Sequence, residues 1–541
     1  MSDNVSKDKT NSIVSDSEEG LSGFDKSIHM EDMEETTKQK EKDLKKNRIK
    51  DGIKNIAGLI LQKAEFAILS SINYLAVYYA AYLSYKDKTI KKENSVSLGS
   101  IITFAQFSSI WSGGVLKEYV HMRIIIILGG SLLILGSLGI LFLNSLIGYK
   151  MMMALYGIGM GVQQGITNAN ACAYIPEKKG LINGIANISW TLFCSFFNYI
   201  GVYIINPEKK DVVLYDDVYN ISGNVIRYTV ITIFCFVGFT AATAILIFPY
   251  KKEKYLPKLE SENINEDNNN IEPENINKDN NNEETEIINE DSNHEENLFI
   301  NNDKKILEDN NQKNEEEKVI ENNNKKKGED DEENIPLIEY FKCVRLYTCF
   351  IICCFKNIHN NLIGSTFIIF SLHYKTVSVN AQQYISSSSF IANLVLTSIL
   401  SLFIDKFKYR SIIVPSYILV FIHAMTFQFV KKNSVLYVIY FFLSKIFGAI
   451  DNLSTFPHLM KVFGNKYIVV IYGIFTFGAG LFGLGASSFV DYVLSRYNEN
   501  QVEEYDYCVN ILFYITSCFT FISVFLMGFE SEDSVLLWKW K

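Results

Sequence analysis

The residues with chemistry to offer are the ionisable side chains set inside long apolar runs. Glu65 lies in the run 57–82, Lys356 and His359 in 346–371, His423 in 411–430, and Lys445 and Asp451 in 435–458. Each such group costs about 3 kcal/mol at the centre of a hydrocarbon layer, so it is kept for binding, for carrying a proton or for pairing helices. A lysine there suits the carboxylate of an anionic solute, which Lys356 or Lys445 would hold. A carboxyl group suits a mobile proton, which Glu65 or Asp451 would carry. Lys356 and His359 are three residues apart and share a helix face, and Asn360 and Asn361 follow them. Lys445 shares a face with Asn452, but Asp451 lies about 120° round the helix and needs a partner elsewhere in the bundle. Gln163, Gln164, Asn168 and Asn170 fall within 151–174. Amides away from water must find partners, so these face a bundle interior. The competing readings are structural. Lys445 and Asp451 would belong to a permanent buried ion pair, Glu65 and Lys356 would reach an interface, and His423 would be a helix contact.

The elements that position these groups are spans. Apolar stretches of about 20 residues recur, the length that crosses a hydrocarbon core of ~30 Å. Six precede a polar insert, at 57–82, 98–116, 124–144, 151–174, 181–205 and 226–248. Six follow it, at 346–371, 383–404, 411–430, 435–458, 467–489 and 509–528. The expected organisation is a disordered N-terminal tail (1–55), a six-helix half (56–250), a disordered Asn/Glu/Lys-rich linker (251–335), a second six-helix half (336–530) and a C-terminal tail (531–541). Lys38, Lys40, Lys42, Lys45, Lys46, Arg48, Lys50 and Lys54 precede the first span, which places the N-terminus in the cytosol. An even span count returns the C-terminus to the same side. The basic loop 84–97, expected outside, runs against this rule. The net charge of −9 sits in tails and loops and argues against a nucleic-acid partner. The cysteines lie in apolar runs and show no zinc spacing. With no Walker motif or catalytic triad either, an enzyme, a cofactor or a metal is not expected.

Two loops carry a repeated pattern. Between spans 2 and 3 the chain reads Gly113-Gly114-Val115-Leu116-Lys117-Glu118, ending at Arg123; between spans 8 and 9 it reads Asp405-Lys406-Phe407-Lys408-Tyr409-Arg410. These resemble the paired gating loops of the major facilitator superfamily, with Glu118 about where Asp is usual. Glycine lets helices approach, and the acid and cations pin helix ends that are remade as two halves rock. Gly157, Gly161 and Gly165 recur every four residues in span 4 and read as a helix-packing stripe.

The runs Tyr156-Gly-Ile-Gly-Met-Gly and Tyr174-Ile175-Pro176-Glu177-Lys178-Lys179-Gly180, with Phe456-Pro457 through Gly464 and Tyr472-Gly473, are similar to the oxalate/formate antiporter and monocarboxylate transporter branch. Asn206-Pro207 is similar to apicomplexan, Plasmodium-like members. The resemblance implies an all-α polytopic membrane protein with twelve transmembrane helices, monomeric in the lipid bilayer of the plasma membrane or a vesicle. It implies a cavity lined by spans 1, 4, 7 and 10, where Glu65, Gln164, Lys356, His359, Lys445 and Asp451 all fall. It further implies alternating access and a small organic anion, a monocarboxylate such as lactate or a vitamin acid such as pantothenate, moved with protons as a symporter. A neutral or zwitterionic solute, or a transporter-like receptor that moves nothing, are the alternatives.

Overall fold

The computed structural model describes residues 19–87, 94–208, 218–251, 254–255, 336–374, 376–403, 406–464, 466–496 and 502–528. Among them stand six long helices before the linker: α1 (Glu19–Lys86), α2 (Asn94–Tyr119), α3 (Met122–Phe142), α4 (Leu146–Tyr174), α5 (Lys179–Ile205) and α6 (Val218–Leu246). Six more follow: α7 (Val344–His373), α8 (Val379–Ser401), α9 (Tyr409–Val430), α10 (Ser434–Phe463), α11 (Ile468–Arg496) and α12 (Val502–Met527). No strand occurs among the described residues. Nearly all of the expected linker, the C-terminal tail and Asp405 lie outside them.

The chain divides into two compact units. The first is Met1–Asp51 with Lys251–Ser292. In it, α1 already begins at Glu19, so much of the expected disordered tail is helical. Residues 24–51 contain neither Gly nor Pro and are rich in Glu and Lys, which are good helix formers. Asp51 accepts from Lys254 Nζ at 2.8 Å and from the Tyr255 hydroxyl at 2.7 Å.

The second unit, Gly52–Tyr250 with Asn293–Lys541, holds the helical bundle. Its core shows that successive helices run in opposite directions. One apolar layer joins the later parts of odd helices (Tyr78, Ile140, Val202, Phe370, Phe427, Val493) to the earlier parts of even ones (Leu98, Tyr149, Val225, Tyr437, Tyr505). A second layer reverses this, joining Leu59, Ile126, Ile182 and Ile468 to Ile110, Ala171, Ala244 and Phe463. Contacts repeat at a shift of six helices. α2 packs on α4 as α8 packs on α10, and α3 on α6 as α9 on α12. Between the halves, α2 meets α11 and α5 meets α8, a pair that the same shift exchanges.

Eight of the described helices are long and apolar enough to cross a membrane by composition, and a ninth span arises if the bent pair within α1, turned by 57°, is counted as one. The chain is an integral multi-pass membrane protein. α2, α4 and α7 fall short of that test, although all three exceed 25 residues. The shortfall has a physical cause: these helices carry Ser100, Thr103, Gln106, Gln164, Asn168 and Asn360, which face an internal cavity and lower the mean hydropathy.

Candidate functional site

The cavity lies between the halves and measures about 330 Å³. Of the residues expected to bind solute or protons, Gln164, Asn168, Lys445 and Asp451 line it. Glu65, Gln163, Lys356 and His359 do not. Helix geometry explains each departure. Glu65 lies two residues, about 200°, from Lys63 on α1, so only one of the two faces the cavity, and it is Lys63. Glu65 turns instead toward α6, where its Oε1 accepts from the Thr240 hydroxyl at 2.7 Å. Gln163 is one position, about 100°, from Gln164. It faces α1, and its Oε1 accepts from Gln62 Nε2 at 3.1 Å. Gln164 accepts from Gln106 Nε2 at 2.6 Å on α2.

Lys356 runs behind the cavity wall from α7 to α10 and forms an ion pair with Asp451. It also donates to Thr455 Oγ1 at 2.5 Å, and Thr455 donates to Asp451 Oδ1 at 2.8 Å. Asp451 therefore finds its partner on another helix, as its angular offset from Lys445 requires. His359 turns toward α9, where its Nε2 stands 2.8 Å from His423 Nδ1. His423 Nε2 lies 2.9 Å from the Tyr440 carbonyl, which only accepts, so that nitrogen is the donor.

Lys63 is the residue that the sequence reading missed. It is 7% exposed and lines the cavity, with Nζ 5.5 Å from the Phe66 ring centre. Among the described residues no carboxylate lies within ion-pair distance of it. The rule that picked out Glu65, an ionisable group inside an apolar run, applies equally to Lys63. Across the cavity stands Lys445 of α10, its ammonium 4.9 Å from the Phe441 ring centre. Gly364 on α7 is its neighbour: a Cβ there would lie in ordinary contact, 3.7 Å from Nζ. Asn183, Asn187, Asn360, Asn393 and Asn452 add amides to the wall, and Trp190 meets Phe390 edge to face at 6.2 Å.

The loop pattern has a packing counterpart. A Cβ on Gly113 would collide with the Val162 carbonyl of α4, and one on Gly114 would lie 2.8 Å from Val470 of α11. Gly473 sits equally tightly on the Trp111 backbone, so α2 and α11 touch closely across the halves. Gly157 and Gly161 abut the Ile102 and Gln106 carbonyls of α2, and Gly165 faces Val469. Lys117, Glu118 and Arg410 are exposed. Arg123 reaches the end of α6, with its Nε donating to the Ile247 carbonyl at 3.2 Å and its guanidinium 4.3 Å from the Phe248 ring centre.

No protein-family model matches the chain, and no curated protein matches it in sequence. Solved structures do resemble it in shape. The human organic anion transporter MFSD10 superposes with a TM-score of 0.55 at 9% identity, covering 89% of this chain and 99% of that one. A D-xylose-proton symporter gives 0.56 at 9% identity, covering 88% and 96%. The major facilitator proton:xylose symporter XylE bound to 6-bromo-6-deoxy-D-glucose gives 0.55 at 12% identity, covering 91% and 99%. At such identities the likeness concerns architecture, and the architecture is the all-α major facilitator fold.

Proposed function

We propose that the chain is a secondary active transporter that carries a small organic anion by alternating access, with Lys63 and Lys445 as its anion clamp. The observation that carries this reading is the charge on the cavity wall. Lys63 comes from the first half and Lys445 from the second, and the one carboxylate on the wall among the described residues, Asp451, is already engaged by Lys356 and Thr455. Two wall cations beside one wall carboxylate that Lys356 already neutralises suit a carboxylate, and disfavour the zwitterion alternative because the ammonium of a zwitterion would compete with Lys356 for Asp451. A clamp drawn from both halves also fits alternating access, since a bound anion holds together two bodies that must otherwise separate. A cavity of about 330 Å³ accommodates a small ligand.

Glu65 is the residue we assign to the coupled proton. It is fully buried, one oxygen bonds Thr240, and the other has no partner among the described residues. It stands two residues from Lys63, so proton and anion would bind on opposite faces of one helix. Two solved structures of the same fold belong to an organic anion transporter and a proton symporter, which agrees with this combination. The basic segment 38–54 ahead of the first apolar run and the inward loops favour cytosolic termini.

The test is uptake of labelled lactate, pantothenate and alanine into proteoliposomes holding the full chain, with and without an inward proton gradient. Carboxylate uptake that is stimulated by the gradient and lost in Lys63→Ala and Lys445→Ala is expected. Uptake of alanine alone, or carboxylate uptake unaffected by either substitution, refutes the reading.

A further inference from the structure

We propose that the carried anion also bears a hydroxyl group, and that Asn168 selects for it by accepting its hydrogen bond. The proposal rests on the organic-anion reading above and goes beyond it. It starts from a proline. Pro457 lies inside α10 and has no N–H, so the carbonyl four residues back, Leu453, lacks its helical partner. Asn183 on α5 of the opposite half fills the gap: its Nδ2 donates to Leu453 O at 3.1 Å and to Asn452 O at 3.0 Å. Carbonyls only accept, so these two bonds fix which end of the Asn183 amide is nitrogen. Its Oδ1 must point the other way, where it accepts from Asn168 Nδ2 at 3.0 Å. The orientation of Asn168 is thereby fixed in turn.

What remains is Asn168 Oδ1, an acceptor. It is buried, belongs to a residue on the cavity wall, and has no partner among the described residues. Asn360 on α7 contributes to the same wall an amide whose nitrogen and oxygen are both unpartnered, and Asn187 Nδ2 adds a donor. A carboxylate has acceptor oxygens only. It can accept from the wall's lysines and amide donors but leaves Asn168 Oδ1 unpaired. A hydroxyl donates and accepts at once, so a hydroxylated carboxylate pairs both kinds of group. One neutral hydrogen bond, weighed against an unpaired buried acceptor, corresponds to roughly three- to tenfold in affinity.

The experiment uses the full chain in proteoliposomes and pairs of acids that differ by one hydroxyl: propionate with lactate, and butyrate with 4-hydroxybutyrate. The hydroxylated member is expected to be taken up in preference, roughly three- to tenfold at low concentration. In Asn168→Ala that ratio falls toward one. In Asn183→Ala, which leaves Asn168 in place but frees its amide to turn, the ratio also falls. The second variant keeps the test decisive if the first does not fold. Equal uptake within each pair, with Lys445→Ala abolishing both members, overturns the hydroxyl proposal and leaves the organic-anion reading standing. A ratio that survives both asparagine substitutions overturns the role of Asn168. Preference for alanine over lactate, or no carboxylate carried at all, overturns both readings.

Discussion

The ion pair between Lys356 and Asp451 decides whether these residues hold the bundle or handle the solute. Lys356 has 0% side-chain exposure and Asp451 has 5%, so neither charge is solvated when its partner is removed. Asp451→Ala strands a buried ammonium and is expected to cost about 3–5 kcal/mol. Lys356→Met strands a carboxylate on the cavity wall, where the Thr455 hydroxyl still donates to it at 2.8 Å, so its cost is smaller. Replacing both at once, Lys356→Met with Asp451→Leu, removes two charges together and exchanges them for apolar volume, a change that is often neutral or stabilising. Thr455 then turns its hydroxyl to the carbonyl four residues back on its own helix, a bond that threonines in helices readily make. The double variant is therefore expected to be more stable than Asp451→Ala by about 3 kcal/mol or more. The assay is a double-mutant cycle by thermal unfolding in detergent, with anion uptake measured on the same preparations. Single-variant losses that add in the double variant would refute the coupling. A double variant as stable as the native chain but without uptake would refute the structural assignment and return the pair to the transport chemistry.

Three further outcomes follow from the geometry. Glu65→Gln keeps the size and the Thr240 contact but cannot release a proton, so uptake is expected to persist while its stimulation by a proton gradient disappears; stimulation that survives would remove Glu65 from the coupling path. Gly161→Val forces a side chain into the Gln106 carbonyl at the α2–α4 crossing, and overpacking of this kind is expected to destabilise by about 1–3 kcal/mol, read as a lowered unfolding temperature. The same substitution at Gly223, where a Cβ would meet nothing within 4 Å, is the control and is expected to be tolerated. His359→Phe replaces the donor to His423 with a ring; a drop in stability without a change in the pH profile of uptake marks this pair as structural, and a shifted profile would contradict that.

The bundle was legible in the sequence because a membrane span is written in length and apolarity, and those survive any rearrangement of neighbours. The up-and-down order and the six-plus-six division follow from counting runs, and the glycine stripe of α4 falls at its crossing with α2. The site was legible only in part, and the reason is angular. Sequence spacing says which residues share a face but not which face turns inward. Glu65 and Lys63 are both ionisable groups in one apolar run, yet the helix sends them to opposite sides, and the side that meets the cavity belongs to Lys63. Gln163 and Gln164 differ by one position and separate in the same way. Lys356 fails to reach the cavity for another reason: a long side chain follows the nearest opposite charge, and Asp451 on the adjoining helix supplies it. The Asn183 contact was hidden more deeply. Pro457 announces that a carbonyl on α10 will want a donor, but nothing local says that the donor comes from a residue 270 positions earlier, in the other half of the bundle. Such a contact exists only while the halves are together. Under the alternating access proposed above, rocking the halves apart would release Asn183 and free the acceptor to turn, which would tie the amide that orients Asn168 to that cycle. In that scheme the solute's hydroxyl is recognised in the state in which the halves meet, which makes selectivity and the cycle one property of a single hydrogen-bonded chain.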